Sequence, residues 1–201
     1  MTASKRSTSS VIRIMISYSK IMRTIEEQGY HFEEWLTPEQ VAKDVQQVAD
    51  KISADYHDKE PLFVVVLNGA FVFAADLIRR LKDVRCEQTF IRVSSYYGMA
   101  STGRLDFIVP LQQVVDQRDV IIVEDIVDTG LTIHQLKAHM RGLGAASVRV
   151  ASMLFKPGKL EYEDAKPDYI GHEITDEFVI GYGLDFDGFQ RNLDAIYKVK
   201  E

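Results

Sequence analysis

Two continuous apolar runs limit the folds that this chain can adopt. Residues 62–67 (LFVVVL) and 120–123 (VIIV) hold only apolar side chains and are rich in β-branched residues. A strand with apolar side chains on both faces needs cover on both faces, which is typical of a parallel sheet. Both runs therefore predict buried strands of an α/β protein.

Helical patterns alternate with these runs. The sequence is expected to become regular from Thr37, where Thr37-Pro38-Glu39-Gln40 has the form of a capping box with proline at the first helical position. Apolar residues at helical spacing then predict a helix to about Tyr56. Further predicted elements are a turn at Asn68-Gly69, strands at residues 89–94 and 147–155, and helices near residues 71–81 and 133–143. This order predicts an open βαβ-type sheet.

Composition excludes several classes of protein. The chain has 201 residues, which suggests one domain, and 24 Lys and Arg against 30 Asp and Glu give a net charge of −6. That balance argues against a nucleic-acid binder. A single cysteine, Cys86, excludes an internal disulfide framework and a cysteine-rich zinc site. No apolar run is long enough to span a membrane, so a cytoplasmic protein is expected.

Both ends of the chain differ from its centre. Residues 1–21 are expected to form a loosely ordered extension, because their apolar stretch is short and interrupted by Arg13. Residues 22–201 are expected to form a single domain. From Asp168 onward, short apolar pieces are separated by glycines, which indicates a small appended subdomain.

The string VIIVEDIVDTGLT at residues 120–132 carries the clearest chemical signal. Ligands of open α/β sheets bind at the carboxyl ends of strands, where this string places polar residues. Backbone N–H groups from Asp128 to Thr132, with the hydroxyls of Thr129 and Thr132, could hold a phosphate at a helix N-terminus. Without further signals, Asp128 could equally serve only to cap that helix.

Two adjacent acids precede this phosphate site. Glu124 and Asp125 could accept hydrogen bonds from sugar hydroxyls or help to hold a hydrated Mg²⁺. The alternative is that they only end the strand. The string thus offers one position for a ribose next to one for a phosphate.

The whole string resembles the ribose-phosphate motif of the phosphoribosyltransferases. Further segments in the right order resemble the hypoxanthine (hypoxanthine-guanine) phosphoribosyltransferases: Leu67-Asn68-Gly69-Ala70-Phe71, Ser95-Tyr96, Lys156 and residues 166–199. The resemblance covers about residues 22–201. It implies a type I phosphoribosyltransferase-like fold, an open, mostly parallel sheet flanked by helices. A small hood-like subdomain, built largely from the C-terminal tail at about residues 168–201, would contribute the purine-binding side.

The resemblance also implies a reaction of purine salvage. A 5-phosphoribosyl group would pass from phosphoribosyl pyrophosphate to hypoxanthine, and also to guanine, giving IMP or GMP and pyrophosphate. Mg²⁺ is the implied cofactor. Family members are commonly homodimers or homotetramers, and neither state is selected by the sequence.

Roles at the ribose and phosphate follow from the resemblance. Asp128 would be the general base that accepts the purine proton. Glu124 and Asp125 would serve the ribose hydroxyls and Mg²⁺, and Asp185 would be a second magnesium contact. The loop around the 5-phosphate, called the phosphate loop below, would consist of Ile126, Val127, Asp128, Thr129, Gly130, Leu131 and Thr132.

Roles at the purine follow in the same way. Lys156 would donate to the purine O6, Phe178 would stack on the ring, and the carbonyl of Val179 would face the base edge. Outside the family context, Lys156 would be an exposed lysine at a strand end and Phe178 a core residue. Three acids, Asp176, Asp187 and Asp194, match no role and are expected to be solvated.

The pyrophosphate side contains one departure from the family pattern. Asn68, Gly69 and Arg191 would contact pyrophosphate, but many relatives have lysine where this chain has Asn68. Backbone N–H groups would then carry more of that contact. Relatives often have a non-proline cis peptide at the position of Leu67-Asn68. Asp185 and Arg191 could alternatively form a simple surface ion pair.

A polar loop that starts at Ser95 and Tyr96 resembles the mobile loop that closes over the reaction in this family. Two other functions remain open at this stage. One is a non-catalytic ribose-phosphate sensor, and the other is transfer to a different base. The tail from Phe178 to Arg191 argues against adenine and orotate, whereas a preference for xanthine stays open.

Overall fold

A six-stranded sheet forms the centre of the molecule in the computed structural model, which describes residues 23–94 and 106–200. Its strands, in spatial order, are β5 (Asp106–Val109), β4 (Glu87–Ser94), β3 (Leu62–Leu67), β6 (Asp119–Val127), β7 (Ser147–Phe155) and β8 (Tyr169–Glu173). All neighbours are parallel except β5, which runs antiparallel to β4. The mostly parallel sheet predicted from the sequence is confirmed.

Three helices cover the two faces of this sheet. Helices α1 (Pro38–Asp55) and α2 (Phe71–Arg80) pack on Phe63 and Val65, while α3 (Leu131–Gly142) belongs to the cluster that contains Val64. Successive side chains of a strand point to opposite faces, so β3 contributes to both cores. This two-sided burial explains why the sequence of β3 has no polar residue.

The chain changes direction across the sheet between β3 and β6. From β3 it passes through α2 to β4 on one side, whereas β6, β7 and β8 follow one another on the other side. The connections therefore diverge at the carboxyl ends of β3 and β6. A crevice opens at such a point in open α/β sheets, and ligands bind there.

A second, four-stranded antiparallel sheet, called the hood here, lies beside the first. Its strands, in spatial order, are β1 (Thr24–Glu27), β2 (Tyr30–Leu36), β10 (Ile196–Val199) and β9 (Val179–Ile180). Half of its strands precede Thr37, where no regular structure was expected. Only Phe32 and Leu36 of β2 are fully buried, so its apolar pattern is too sparse to reveal a strand.

The tail also divides differently from the expectation. Residues 169–173 do not belong to the hood, because they form β8 at the edge of the large sheet. Gly171 lies so close to β7 that an added Cβ would be 2.7 Å from the carbonyl oxygen of Met153. The C-terminal contribution to the hood sheet therefore begins only at Val179.

The predicted start of α1 is confirmed in detail. Thr37 caps the helix, its hydroxyl accepting a hydrogen bond from the backbone N–H of Gln40 at 3.3 Å. Tyr56 follows the last helical residue, as expected. Within the described residues, no helix combines the length and apolar character needed to cross a membrane.

Candidate active site

A cavity of about 230 Å³ lies at the carboxyl end of β6. The end of β6 and the start of α3 surround it, with Val66 and Val93 from the neighbouring strands. Its lining includes Glu124 and every residue of the predicted phosphate loop. The string singled out in the sequence therefore encloses a space next to the divergence point of the sheet.

The start of α3 leaves Asp128 available for chemistry. Gly130, at the N-cap position, has φ +86°, and no side chain caps the helix. The hydroxyl of Thr129 accepts a hydrogen bond from the N–H of Leu131 at 3.4 Å. The alternative in which Asp128 serves only as a helix cap is therefore wrong.

The two adjacent acids lie inside β6, which continues past them to Val127. The Glu124 carboxylate is buried, and burial together with the charge of Asp125 raises its pKa well above the ordinary value. Burial also raises the pKa of Asp125, whose carboxylate accepts a hydrogen bond from the N–H of Ile126 at 2.8 Å. A buried acid beside a partly buried one favours a ligand that brings hydroxyl donors or positive charge.

The turn after β3 lies directly against these acids. The Leu67–Asn68 peptide bond is cis, as the resemblance implies. A Cβ built on Gly69 would overlap the Asp125 carboxylate, so only glycine fits there. Likewise, a Cβ on Gly183 would overlap the carbonyl oxygen of Gly69. Segments far apart in sequence thus meet in close contact at the predicted pyrophosphate position.

Arg191 and Asp185 are paired with each other beside this contact. Nη2 of Arg191 lies 2.7 Å from Oδ1 of Asp185, and its Nη1 donates to the carbonyl oxygen of Gly183 at 2.6 Å. Oδ2 of Asp185 accepts from the N–H of Gly188 at 2.7 Å. The pair is not isolated on the surface, because the charge of Arg191 also acts to lower the pKa of Asp125.

Lys156 lies beside Asp128, one of the residues that line the cavity. Lys156 is buried, with Nζ 3.8 Å from Oδ2 of Asp128, so the exposed-lysine alternative is wrong. Oδ1 of Asp128 is buried without a hydrogen-bond partner in the described part of the chain. A cation and an acceptor with one unused oxygen therefore lie side by side.

Asp176 is a neighbour that the sequence did not identify. Its side chain is exposed, as expected, but its carboxylate also lies 3.5 Å from Nζ of Lys156 and 2.7 Å from Nζ of Lys159. The hydrogen bond from Lys159 lowers the pKa of Asp176. No spacing rule connects these residues, so their contact could not be found from the sequence.

Phe178 is exposed rather than a core residue. About 48% of its surface is accessible, and its ring packs against Phe32 and Phe186 with centroid distances of 6.2 and 5.8 Å. Its carbonyl oxygen accepts a hydrogen bond from Val199 in β10. Backbone groups alternate along a strand, so those of Val179 point to the unpaired edge of β9. The Phe178 ring is therefore partly exposed and the backbone groups of Val179 face away from β10, while their contact with a purine stays a prediction.

Ser95 and Tyr96 lie outside the described residues, as does the predicted extension at residues 1–21. Among the described residues, no cluster of three or more His, Cys, Asp or Glu is arranged to hold a metal ion. Glu124 and Asp125 are adjacent, whereas Asp185 is bound to Arg191.

Comparison with known proteins identifies the family. Residues 32–187 match the phosphoribosyl transferase domain model. The hypoxanthine-guanine phosphoribosyltransferase of Bacillus subtilis is 38% identical over 166 residues, covering 82% of this chain and 91% of that protein. The hypoxanthine-guanine-xanthine phosphoribosyltransferase of Tritrichomonas foetus is 38% identical over 162 residues, covering 80% and 87%.

Solved structures agree with this assignment. The crystal structure of a Staphylococcus aureus hypoxanthine phosphoribosyltransferase has a TM-score of 0.79 and 34% identity, covering 84% of this chain and 91% of that one. A hypoxanthine-guanine phosphoribosyltransferase from Bacillus anthracis has a TM-score of 0.78 and 35% identity, covering 83% and 98%. The chain therefore belongs to the hypoxanthine-guanine phosphoribosyltransferase family.

Proposed function

We propose that this protein transfers the 5-phosphoribosyl group of phosphoribosyl pyrophosphate to hypoxanthine and guanine, as an enzyme of purine salvage. The observation that carries this proposal is the Lys156–Asp128 pair, with 3.8 Å between Nζ and Oδ2. A 6-oxopurine protonated at N7 presents an acceptor, O6, beside a donor, N7–H. A lysine beside a carboxylate is complementary to that edge. Adenine presents an amino donor instead of O6, which would face the lysine cation.

The relatives support the same class of base. The Bacillus subtilis relative is named for hypoxanthine and guanine, and the Tritrichomonas foetus relative for xanthine as well. These bases share the 6-oxo group and differ at C2. Lys156 and Asp128 would contact only the shared edge, so xanthine stays open as a further substrate.

The reaction would join the purine to ribose C1′ as the bond from C1′ to pyrophosphate breaks. Asp128 would take the proton from N7, which returns electron density to the ring and allows N9 to bond to C1′. The bonding pair of the broken bond leaves with pyrophosphate. Arg191 and the backbone N–H groups at Asn68-Gly69 would stabilise the charge that grows there.

The phosphate and the purine would be held by the remaining groups. Backbone N–H groups at the start of α3 and the hydroxyls of Thr129 and Thr132 would bind the 5-phosphate. The ring of Phe178 would stack on the purine, and the carbonyl of Val179 would accept from its edge. Ser95 and Tyr96 would belong to a loop that closes over the substrates.

Magnesium fits the oxygen donors at this site. Glu124 supplies a buried carboxylate and Asp125 a partly buried one, and Asp185 supplies another at the pyrophosphate end. When bound, Mg²⁺ would neutralise charge on the pyrophosphate leaving group. Because the described carboxylates form no three-ligand cluster, the ion would be held mainly by substrate oxygens and water.

The assembly and location are proposed from the family. We expect a homodimer or homotetramer, and the exposed Phe71 on α2 and Phe90 on β4 offer apolar surface for such contacts. Light scattering of the purified protein would distinguish these states from a monomer. The cytoplasmic location stays a prediction, as does the absence of nucleic-acid and membrane partners.

The direct test is an assay with separate bases. The purified protein is mixed with phosphoribosyl pyrophosphate, Mg²⁺ and one of hypoxanthine, guanine, xanthine or adenine, and nucleotide formation is followed by absorbance. We expect turnover of hypoxanthine and guanine. If the donor binds but no base is consumed, the sensor alternative is correct.

Replacing Lys156 tests the proposed contact to O6. In Lys156→Gln, the loss of a buried charged donor should lower kcat/KM for hypoxanthine by about 30-fold, with KM for the donor unchanged. Discrimination against adenine should weaken, because an amide can also accept a hydrogen bond. Lys82→Gln, at an exposed lysine after α2, serves as the control. Equal base selectivity in both variants would show that Lys156 does not recognise the purine.

A further inference from the structure

Three consecutive residues directly after β9 of the hood have left-handed backbone conformations. Gly181, Tyr182 and Gly183 have φ values of +91°, +48° and +101°. Glycine tolerates this region, but a tyrosine there needs support from its surroundings. Hydrogen bonds in both directions between Gly181 and Leu184, at 3.0 and 3.1 Å, close the turn. We call residues 181–184 the hood turn.

The hood turn contacts both halves of the proposed pyrophosphate site. The backbone of Gly183 is in close contact with the carbonyl oxygen of Gly69. The carbonyl oxygen of Gly183 accepts a hydrogen bond from Arg191 at 2.6 Å. Asp185 follows the turn directly. A shift of the turn would therefore move Arg191 and Asp185 relative to the loop at Gly69.

Tyr182 anchors this turn to α2. Its side chain is buried, and its hydroxyl donates to Oδ2 of Asp76 at 2.8 Å. Burial and this hydrogen bond raise the pKa of Tyr182. Although burial acts in the opposite direction, hydrogen bonds from Tyr182 and Arg79 hold the pKa of Asp76 below its ordinary value. A neutral donor and an ionised acceptor form a strong hydrogen bond.

Packing and the hydrogen bond both join these parts, because Tyr182 and Leu184 share a hydrophobic cluster with residues of α2. A cavity of about 330 Å³ separates Val41 and Val72, on α1 and α2, from the chain at residues 191–194. Asp76 and Tyr182 both line it. At the edge of this cavity, the hydrogen bond between them adds a direct polar link from α2 to the hood turn.

We propose that the Tyr182–Asp76 hydrogen bond is a positioning contact, which sets the distance between the Asn68-Gly69 loop and the Arg191–Asp185 pair and so determines affinity for pyrophosphate groups. Helix α2 starts directly after that loop, and the hood turn directly precedes Asp185. One bond thus links both supports of the site. The inference rests on the proposed function, because it assigns these two supports to pyrophosphate.

Tyr182→Phe tests the contact by removing one oxygen atom. Because small displacements weaken a multi-point charged contact strongly, KM for phosphoribosyl pyrophosphate and Kd for magnesium pyrophosphate should each rise about tenfold. KM for hypoxanthine and Kd for IMP should change by less than about twofold, since the purine contacts lie elsewhere. Calorimetry with magnesium pyrophosphate gives a readout that does not depend on turnover.

Tyr169→Phe is the matched control. Tyr169 is as buried as Tyr182, and its hydroxyl donates to a carboxylate, Asp55, at 2.7 Å, but it lies on β8 away from the cavity. Tyr169→Phe should lose about as much thermal stability as Tyr182→Phe, without any change in pyrophosphate affinity. Equal pyrophosphate affinities in the two variants would overturn the proposal.

Variants of Asp76 show whether the two residues act through each other. Asp76→Asn can still accept from Tyr182 and should keep most of the donor affinity, whereas Asp76→Ala should resemble Tyr182→Phe. The double variant Tyr182→Phe/Asp76→Ala should be no worse than either single variant, because one shared contact is lost. Additive losses would contradict the proposal. A wild-type protein that binds neither the donor nor pyrophosphate would instead overturn the proposed function itself, and this inference with it.

Discussion

Asp128→Asn should lower kcat for hypoxanthine by about 10²- to 10⁴-fold, the usual contribution of a general base. The amide has the same shape as the carboxylate but cannot accept the N7 proton. The carboxylate caps no helix and has a buried oxygen without a partner, so the fold should tolerate the change. Steady-state kinetics with saturating donor measures the effect, and thermal unfolding confirms that the variant folds.

Asp187→Asn provides the comparison. Asp187 is an acid in the C-terminal tail that accepts a hydrogen bond from Gln28 at 2.9 Å, and it has no place in the proposed reaction. Its kcat should stay within about twofold of the wild type. If Asp128→Asn keeps more than about a tenth of the wild-type kcat, the general base is another group.

Gly69→Ala should lower kcat/KM for phosphoribosyl pyrophosphate by about 100-fold or more, because misplacing bound groups by about 1 Å has effects of that size. The new methyl group would overlap the carboxylate of Asp125. Either the acid must leave the ribose position or the loop must move away from it. Kinetics at varied donor concentration would show the change.

Gly142→Ala separates local overlap from a general effect of replacing glycine. Gly142 ends α3, and a Cβ there would meet nothing within 4 Å. Alanine favours a helix over glycine by about 1 kcal/mol, so this variant should be active and slightly more stable. Wild-type donor kinetics in Gly69→Ala would mean that Asp125 and Gly69 do not form the donor site.

The large sheet was predictable because its central strands are buried on both faces. Residues 62–67 and 120–123 carry that signal directly, and β7 was predicted with its observed bounds, Ser147–Phe155. The hood was harder because β1 has no buried residue and β2 has only two, so neither short strand carries a clear apolar pattern. Pairing between β2 and β10 joins opposite ends of the chain, and no local pattern encodes it.

The candidate site likewise has a part that could be predicted from the sequence and a part that could not. The phosphate loop is contiguous, so its residues could be named from one string, and the cavity beside it agrees with that prediction. Contacts between segments that only folding brings together could not be predicted from the sequence. Asp176 reaches Lys156 from a separate segment, and Tyr182 lies 106 positions from Asp76. The first contact joins the segments that follow β7 and β8, and the second joins the hood turn to α2, and spacing rules describe neither.

Competition between two bases tests the central claim most directly, because the claim concerns the edge that Lys156 and Asp128 recognise. Hypoxanthine and adenine are supplied at equal concentration with limiting phosphoribosyl pyrophosphate and Mg²⁺, and the products are separated by chromatography. We predict IMP and pyrophosphate in equal amounts, with AMP below about 1% of the nucleotide, since a site built for one hydrogen-bonding pattern rejects the other strongly. AMP in comparable amount would contradict the assignment of this pair to the O6 and N7 edge.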